Sequence, residues 1–138
     1  MTSPAPHETQ IRVRFAELDP YGHLNHAMYS TFFEQARVEA LEDIDLGLHT
    51  LVKDDLTFLV VKLNIEFKRP AMASQIVTIK THLSEVRRAT STWTQVMSHD
   101  DTVLAVGHIT AAMASMTGRP VKPPDWVMSR LTPLIILD

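Results

Sequence analysis

Residues 17–29 read ELDPYGHLNHAMY and connect an alternating segment to a long, apolar-rich segment. Pro20 and Gly22 favour a tight turn, and Asn25 is a good N-cap for a helix that begins at His26. A turn followed by a cap needs no histidines and no further acid. The crowding of polar side chains therefore marks this connection as a candidate functional site as well as a turn.

The segments on either side have different periodicities. Residues 10–15, QIRVRF, alternate apolar and polar residues and predict a half-buried strand. From about His26 to Ile44, apolar residues recur at helical spacing, and neither Gly nor Pro interrupts them before Gly47. The quoted stretch therefore lies between a first strand and one long helix.

The rest of the chain predicts about four more strands. Most of these segments alternate or are rich in β-branched residues, and polar turn residues separate them. The candidate strands are residues 60–70, 75–86, 89–101 and 102–116. Residues 117–126 form a predicted loop, and the apolar tail 127–138 has no clear pattern.

One helix and about five antiparallel strands predict a two-layer α+β domain. The helix is apolar over a wide arc, which would be buried if a strongly curved sheet wrapped around it. Residues 1–9 are predicted to be a flexible leader, and residues 10–138 a single domain.

Composition excludes several classes of protein. The chain has 138 residues, 45% of them hydrophobic, with a formal charge of -3 and no cysteine. This balance gives no electrostatic case for nucleic-acid binding, and thiolate metal sites and cysteine nucleophiles are excluded. The N-terminus lacks the apolar core of a signal peptide, and no apolar run approaches the length of a membrane span. We therefore expect a cytoplasmic protein without a membrane span.

The start of the predicted helix favours chemistry on a carbonyl group. Its first amides, around Asn25, His26 and Ala27, lack intrahelical acceptors and carry the positive end of the helix dipole. They are candidates for an oxyanion hole, and Asp19 is close enough to attack a bound carbonyl or to deprotonate a water. On spacing alone, a structural turn is the more common explanation of a motif this short.

The longer stretch 14–37, RFAELDPYGHLNHAMYSTFFEQAR, contains a recognisable signature. It resembles that of the hotdog-fold acyl-CoA thioesterases of the 4-hydroxybenzoyl-CoA thioesterase type, especially the YbgC-like branch. The residues that match in order are Asp19, Gly22, His26, Ala27, Tyr29, Phe33, Glu34, Ala36 and Arg37. The segments EFKRPA, EVRRAT and MTGRPVKPP also resemble family segments, so the similarity extends from about residue 10 to residue 128.

This resemblance implies a hotdog fold, with one long central helix wrapped by a curved antiparallel sheet of about five strands. It implies a homodimer or homotetramer with active sites at a subunit interface. It implies no metal and no bound cofactor, because coenzyme A is part of the substrate. Asp19 matches the catalytic carboxylate, His26 the position whose backbone N–H points at the thioester carbonyl, and Tyr29 a position near the site or in the helix core.

Other residues are candidates for substrate binding. Arg87 and Arg88 resemble a family segment that meets the phosphates of coenzyme A, although a solvated turn would explain them equally well. Three apolar residues before the second strand could line an acyl pocket or belong to the core: Phe58, Leu59 and Val60. His23 is found in some branches of the family and not in others.

The resulting function hypothesis is hydrolysis of an acyl-CoA thioester, or of an acyl carrier protein thioester, to free acid and thiol. Asp19 would act as nucleophile or as general base. A hotdog enoyl-thioester hydratase or dehydratase is one alternative, to which His23 lends support. A non-catalytic acyl-CoA-binding domain is another. The chain lacks the G-x-S-x-G motif, which excludes an α/β-hydrolase thioesterase.

Overall fold

The computed structural model describes residues 4–138. These residues form five strands and three helices, with short 3-10 turns at Phe15–Glu17 and Thr132–Leu134. In chain order the elements are β1 (His7–Arg12), α1 (His26–Asp43), α2 (Leu48–Lys53), β2 (Thr57–Phe67), β3 (Ile76–Val86), β4 (Thr90–His99), β5 (Thr102–Ala114) and α3 (Asp125–Leu131).

The strands form one antiparallel sheet in the order β1-β3-β4-β5-β2, so β1 and β2 lie at its edges. Helix α1 packs against one face of this sheet. Its residues Phe33, Ala36 and Ala40 are fully buried, as Val77 and Ile79 of β3 are. The predicted α+β arrangement of one long helix and five strands is confirmed.

A buried amide joins α1 to the centre of the sheet. Gln95 of β4 donates from Nε2 to the carbonyl oxygen of Phe33 at 2.8 Å and to the hydroxyl of Thr81 at 3.1 Å. Its Oε1 accepts a 2.9 Å hydrogen bond from Nη1 of Arg37. All polar atoms of this buried side chain are therefore paired, which is the condition under which a buried amide is tolerated.

Strand β2 differs from the half-buried strand that its alternation predicts. Val61 and Leu63 are 59% and 50% exposed, and Phe67 is 53% exposed. The pairing with β5 shifts register between Val60 and Lys62, which leaves Val61 as the extra residue of a bulge. β2 also forms an edge of the sheet, with no strand on its outer side among residues 4–138.

The first strand begins earlier than predicted, at His7, within the segment assigned to the flexible leader. His7 pairs with Thr81 in the sheet, and its Nε2 lies 2.6 Å from Oδ2 of Asp43. These partners come from β3 and α1, so no local apolar pattern reveals them. The strand ends at Arg12, before the predicted end at Phe15, and residues 1–3 of the leader lie outside the described part of the chain.

The C-terminal tail, which had no predicted structure, covers part of the sheet edge. Residues after α3 bridge Ile135 to Leu83 in parallel. The amides of Ile136 and Asp138 donate to the carbonyls of Leu83 and Ser84 at 2.9 and 3.2 Å. The tail thus occupies the edge of β3 beyond Thr81, the residue that pairs with the first residue of β1. No helix in the described part of the chain has the length and apolar character required to cross a membrane.

Candidate active site

The stretch before α1 folds back on itself as a small hairpin. The amide of Asp19 donates to the carbonyl of His23 at 2.7 Å, and Leu18 bridges Leu24 in antiparallel fashion. Gly22 lies at the tip with φ of 79°, a conformation that glycine adopts without strain. The turn brings Asp19 beside the residues that start the helix.

The carboxylate of Asp19 is held by one of its two oxygens. Oδ1 accepts hydrogen bonds from the backbone amides of Tyr21 at 2.9 Å and His23 at 3.1 Å. Oδ2 has no hydrogen-bond partner among residues 4–138. Asp19 lines a pocket of about 400 Å³ together with His23, His26 and Tyr29. One oxygen is therefore fixed, and the other is available to a bound molecule.

The first turn of α1 contains one open donor. The side chain of Asn25 accepts from the amide of Ala27 at 3.0 Å, and its carbonyl accepts from the amide of Met28 at 2.9 Å. The amide of His26 makes no hydrogen bond within the described residues. The prediction that Ala27 contributes an open amide is therefore wrong, because the cap already occupies that N–H. His26 provides the available donor.

The far wall of the pocket comes from the end of β2 and the loop that follows. The hydroxyl of Tyr29 accepts from the amide of Ala71 at 3.0 Å, and the Tyr29 ring meets Phe67 edge-on at 5.0 Å. The carbonyl of Ala71 accepts from the amide of Leu24 at 2.8 Å. These contacts bring four more residues to the wall of the pocket: Phe67, Lys68, Arg69 and Pro70. The segment EFKRPA was their signal in the sequence.

A second, mostly apolar groove of about 390 Å³ lies between α1, α2 and β2. Phe58 and Val60 of β2 line it, and Trp93 contributes from β4. Leu59 does not line the groove, because successive side chains of a strand alternate between the two faces of a sheet. Arg37 also lines the groove, and burial lowers the pKa of its guanidinium group.

Arg87 and Arg88 lie far from Asp19 within the same chain. His23 bridges Met72, shortly before β3 begins, whereas the arginines follow the last residue of that strand. A strand of eleven residues is about 35 Å long. Arg87 is paired with Glu85 at 2.7 Å, which lowers the pKa of that carboxyl group. The arginines therefore do not meet the Asp19 pocket within one protomer.

Comparison with known proteins identifies the same family as the sequence signature of residues 14–37 does. Residues 13–131 match the model of the thioesterase-like superfamily. The chain is 36% identical over 91 residues to the long-chain acyl-CoA thioesterase FadM of Escherichia coli, covering 66% of this chain and 68% of FadM. It is 28% identical over 95 residues to the acyl-CoA thioester hydrolase YbgC of Escherichia coli, covering 68% and 71% of the two chains.

Solved structures agree with the sequence comparisons. A probable thioesterase from Bartonella henselae superimposes with a TM-score of 0.83 at 33% identity, covering 87% of this chain and all of that one. The predicted hotdog fold and the resemblance to acyl-CoA thioesterases are thereby confirmed. The chain belongs to the thioesterase-like superfamily.

Proposed function

We propose that this protein hydrolyses acyl-CoA thioesters to free acid and coenzyme A at the pocket that contains Asp19. The observation that carries the proposal is that Asp19 and His26 line one pocket, where a carboxylate oxygen of Asp19 and the amide of His26 have no partner among residues 4–138. A nucleophile or base beside an oxyanion donor is the minimum that acyl transfer requires. Its relatives FadM and YbgC are named for this activity.

The two groups have different tasks in the proposed reaction. The thioester carbonyl accepts a hydrogen bond from the His26 amide, and the positive end of the α1 dipole stabilises the negative charge that develops on the oxygen. Asp19 acts on the carbonyl carbon through its free Oδ2. The amides of Tyr21 and His23 hold Oδ1, which fixes the direction of the carboxylate.

Two routes are open to Asp19. As a nucleophile, Oδ2 bonds to the carbonyl carbon and the C–S bond breaks, which gives an acyl-aspartyl anhydride that water then hydrolyses. As a general base, Oδ2 removes a proton from a water whose oxygen bonds to the carbon, and the coenzyme A thiolate leaves. A single turnover in ¹⁸O-labelled water distinguishes them, because only the nucleophile route can leave the label in Asp19.

We further propose that the site is completed by a second copy of the chain. The exposed apolar edge of β2 is a ready surface for pairing with the same strand of another copy. An antiparallel pair of β2 strands would set the Phe67 end of one copy beside the Thr57 end of the other. The Asp19 pocket would then lie near the second copy's apolar groove and its Arg87–Arg88 turn.

This arrangement suggests a substrate class. An apolar groove of about 390 Å³ is within the usual range for a small-molecule site, and it suits a fatty-acyl chain better than a charged group. The arginines at the turn suit the phosphates of coenzyme A. We therefore propose a long-chain fatty-acyl-CoA as the substrate. Coenzyme A is part of that substrate, and we propose that the enzyme uses no separate cofactor and no metal. A cytoplasmic location stays a prediction.

The experiment is a thiol-release assay with short, medium, long and aromatic acyl-CoAs, and with an acyl carrier protein thioester. Wild type is compared with Asp19→Asn and Asp19→Ala, with circular dichroism spectra to verify folding. We expect release that is fastest with long chains and at least about 100-fold slower in Asp19→Asn. Asp100→Asn, a change in the exposed β4–β5 turn, is the control and should behave as wild type.

The other functions predict different results. Loss of enoyl-CoA absorbance without thiol release would establish a hydratase. Tight acyl-CoA binding without turnover would establish a binding domain. Normal turnover by well-folded Asp19→Asn would overturn the assignment of Asp19.

A further inference from the structure

We propose that Glu17 is a positioning residue, which sets the distance between the Asp19 carboxylate and the His26 amide without touching the substrate. Among the described residues it is the least exposed acidic or basic side chain, with 4% of its surface exposed. It does not line the pocket that contains Asp19 and His26. Its kinetic effect rests on the proposed thioester hydrolysis.

The carboxylate of Glu17 closes the 3-10 turn that precedes Asp19. Its Oε1 accepts from the backbone amide of Arg14 at 2.9 Å, and its Oε2 accepts from Nη2 of Arg14 at 2.5 Å. The amide of Glu17 in turn donates to the carbonyl of Arg14 at 3.0 Å. Because a buried charge requires full pairing, these contacts leave the turn little freedom.

The backbone of Glu17 carries this restraint to the helix start. Its carbonyl accepts a 2.8 Å hydrogen bond from the amide of Asn25, the N-cap of α1. The next steps of the same hairpin are the Leu18–Leu24 bridge and the bond from Asp19 to His23. One strand of the hairpin thus leads from Glu17 to the catalytic carboxylate, and the other leads from Asn25 to the oxyanion donor.

The contact pattern explains why a carboxylate is needed. Glu17→Gln keeps the shape, but an amide offers one acceptor and one donor where Arg14 presents two donors. A buried N–H group would then face a guanidinium N–H group. The turn would relax, and catalytic groups displaced by about 1 Å can lose roughly 100-fold in rate.

The test measures kcat, KM and hydrogen exchange for Glu17→Gln at a temperature well below its unfolding transition. We expect kcat to fall about 10- to 100-fold, with KM changed by less than about threefold, because the defect lies in the geometry of the transition state. Glu8→Gln is the matched control. Glu8 is an exposed partner of Lys80 at 3.7 Å, so kcat should stay at the wild-type value.

A double variant separates positioning from a general loss of stability. Arg14→Gln combined with Glu17→Gln lets two amides pair, so kcat should recover by about fivefold or more relative to Glu17→Gln alone. Arg14→Gln alone changes an exposed side chain, so the protein should stay folded. Its kcat should fall about 10-fold relative to wild type. An unchanged kcat in Glu17→Gln, or a loss explained entirely by the unfolded fraction, would overturn the proposal.

Hydrogen exchange gives a readout that does not depend on catalysis. The Asn25 amide should exchange at least about 10-fold faster in Glu17→Gln, while the amide of Ile79 in the centre of the sheet stays protected. If wild type shows no thioester hydrolysis but this exchange appears, the proposed function fails and the positioning role stands. If hydrolysis is normal in wild type and neither kcat nor exchange changes in the variant, the positioning role fails alone.

Discussion

The hydroxyl oxygen of Tyr29 accepts a 3.0 Å hydrogen bond from the backbone amide of Ala71, 42 residues away in the chain. The bond ties the first turn of α1 to the loop between β2 and β3. Both walls of the Asp19 pocket meet at this contact, since Phe67 packs edge-on against the same ring. Tyr29 therefore links the helix terminus to the opposite wall of the site.

Tyr29→Phe should lower the free energy of unfolding by about 1–3 kcal/mol, because the amide of Ala71 would be left buried without an acceptor. Urea denaturation measures the change. Tyr21→Phe removes a hydroxyl from a side chain that is 83% exposed, and should change stability by less than about 0.5 kcal/mol. Equal effects of the two variants would contradict the buried role of the Tyr29 hydroxyl.

Asn25→Ala should destabilise the protein by about 1 kcal/mol, because the amide of Ala27 loses its cap. The same variant frees a second amide beside His26, so thermal unfolding and kcat are measured together. Asn25→Asp keeps an acceptor at the same place, and its melting temperature should stay close to that of wild type. A stable Asn25→Ala would show that the cap contributes nothing.

The stability contributed by Glu17 should depend on pH. Its hydrogen bonds from Arg14 lower the pKa of the Glu17 carboxyl below the ordinary value of 4.5. A lowered pKa in the folded state means that the contribution is fully present above pH 4.5 and is lost as pH falls through the folded-state value. The difference in unfolding free energy between wild type and Glu17→Gln should therefore shrink between pH 6 and acid pH. If the difference in unfolding free energy instead grew on acidification, a lowered pKa for the Glu17 carboxyl would be contradicted.

Gly107→Ala should cost about 1–3 kcal/mol, because a Cβ there would lie 3.2 Å from the ring of Phe33 and 3.1 Å from Ile109. Both neighbours are fully buried and have little room to move. Gly47→Ala provides a contrast. Its Cβ would meet Cγ of Glu42 at 3.1 Å, but that exposed side chain can rotate away. Chemical denaturation should show a lower free energy of unfolding for Gly107→Ala and an unchanged one for Gly47→Ala.

Leu63→Lys should weaken the proposed pairing of β2 strands, because it places a charge on the exposed apolar edge. Sedimentation should detect a smaller species than wild type, and thioester hydrolysis should fall in parallel. Val103→Lys changes an apolar residue of similar exposure on β5, which is not an edge strand. This control should leave the sedimenting species and the rate of thioester hydrolysis unchanged. A wild type that sediments as a monomer while active would contradict the shared site.

The long helix was predictable because its signals are local. Asn25 caps it, apolar residues recur at helical spacing, and the observed helix begins at the predicted His26 and ends one residue before Ile44. Helix α2 was not predicted because its six residues are too few to show a period. Strand β1 begins with the polar residues His7, Glu8 and Thr9, and it depends on partners in β3 that only the fold supplies.

The candidate site was partly predictable for the same reason. Asp19 and His26 lie within one turn and its following helix, so their proximity follows from local chemistry. The contacts of Tyr29 with Ala71 and Phe67 join distant segments, and no periodicity encodes them. The occupied amide of Ala27 shows a further limit, since a cap and an oxyanion hole use the same group. The catalytic roles of these residues stay predictions.

The C-terminal tail has a consequence for how copies of this chain can associate. Ile135 to Asp138 hydrogen-bond to the part of β3 that β1 leaves uncovered, so this margin is already satisfied within the chain. Among the described residues, two margins stay open: the outer edge of β1, six residues long, and that of β2, eleven residues long, on the opposite side of the sheet. Two copies that join through the same edge close into a pair, whereas a joint between two different edges can repeat and grow into fibres. By covering β3 beyond His7, the tail shortens the margin opposite β2 to the six residues of β1, which favours a closed β2–β2 pair over polymerisation.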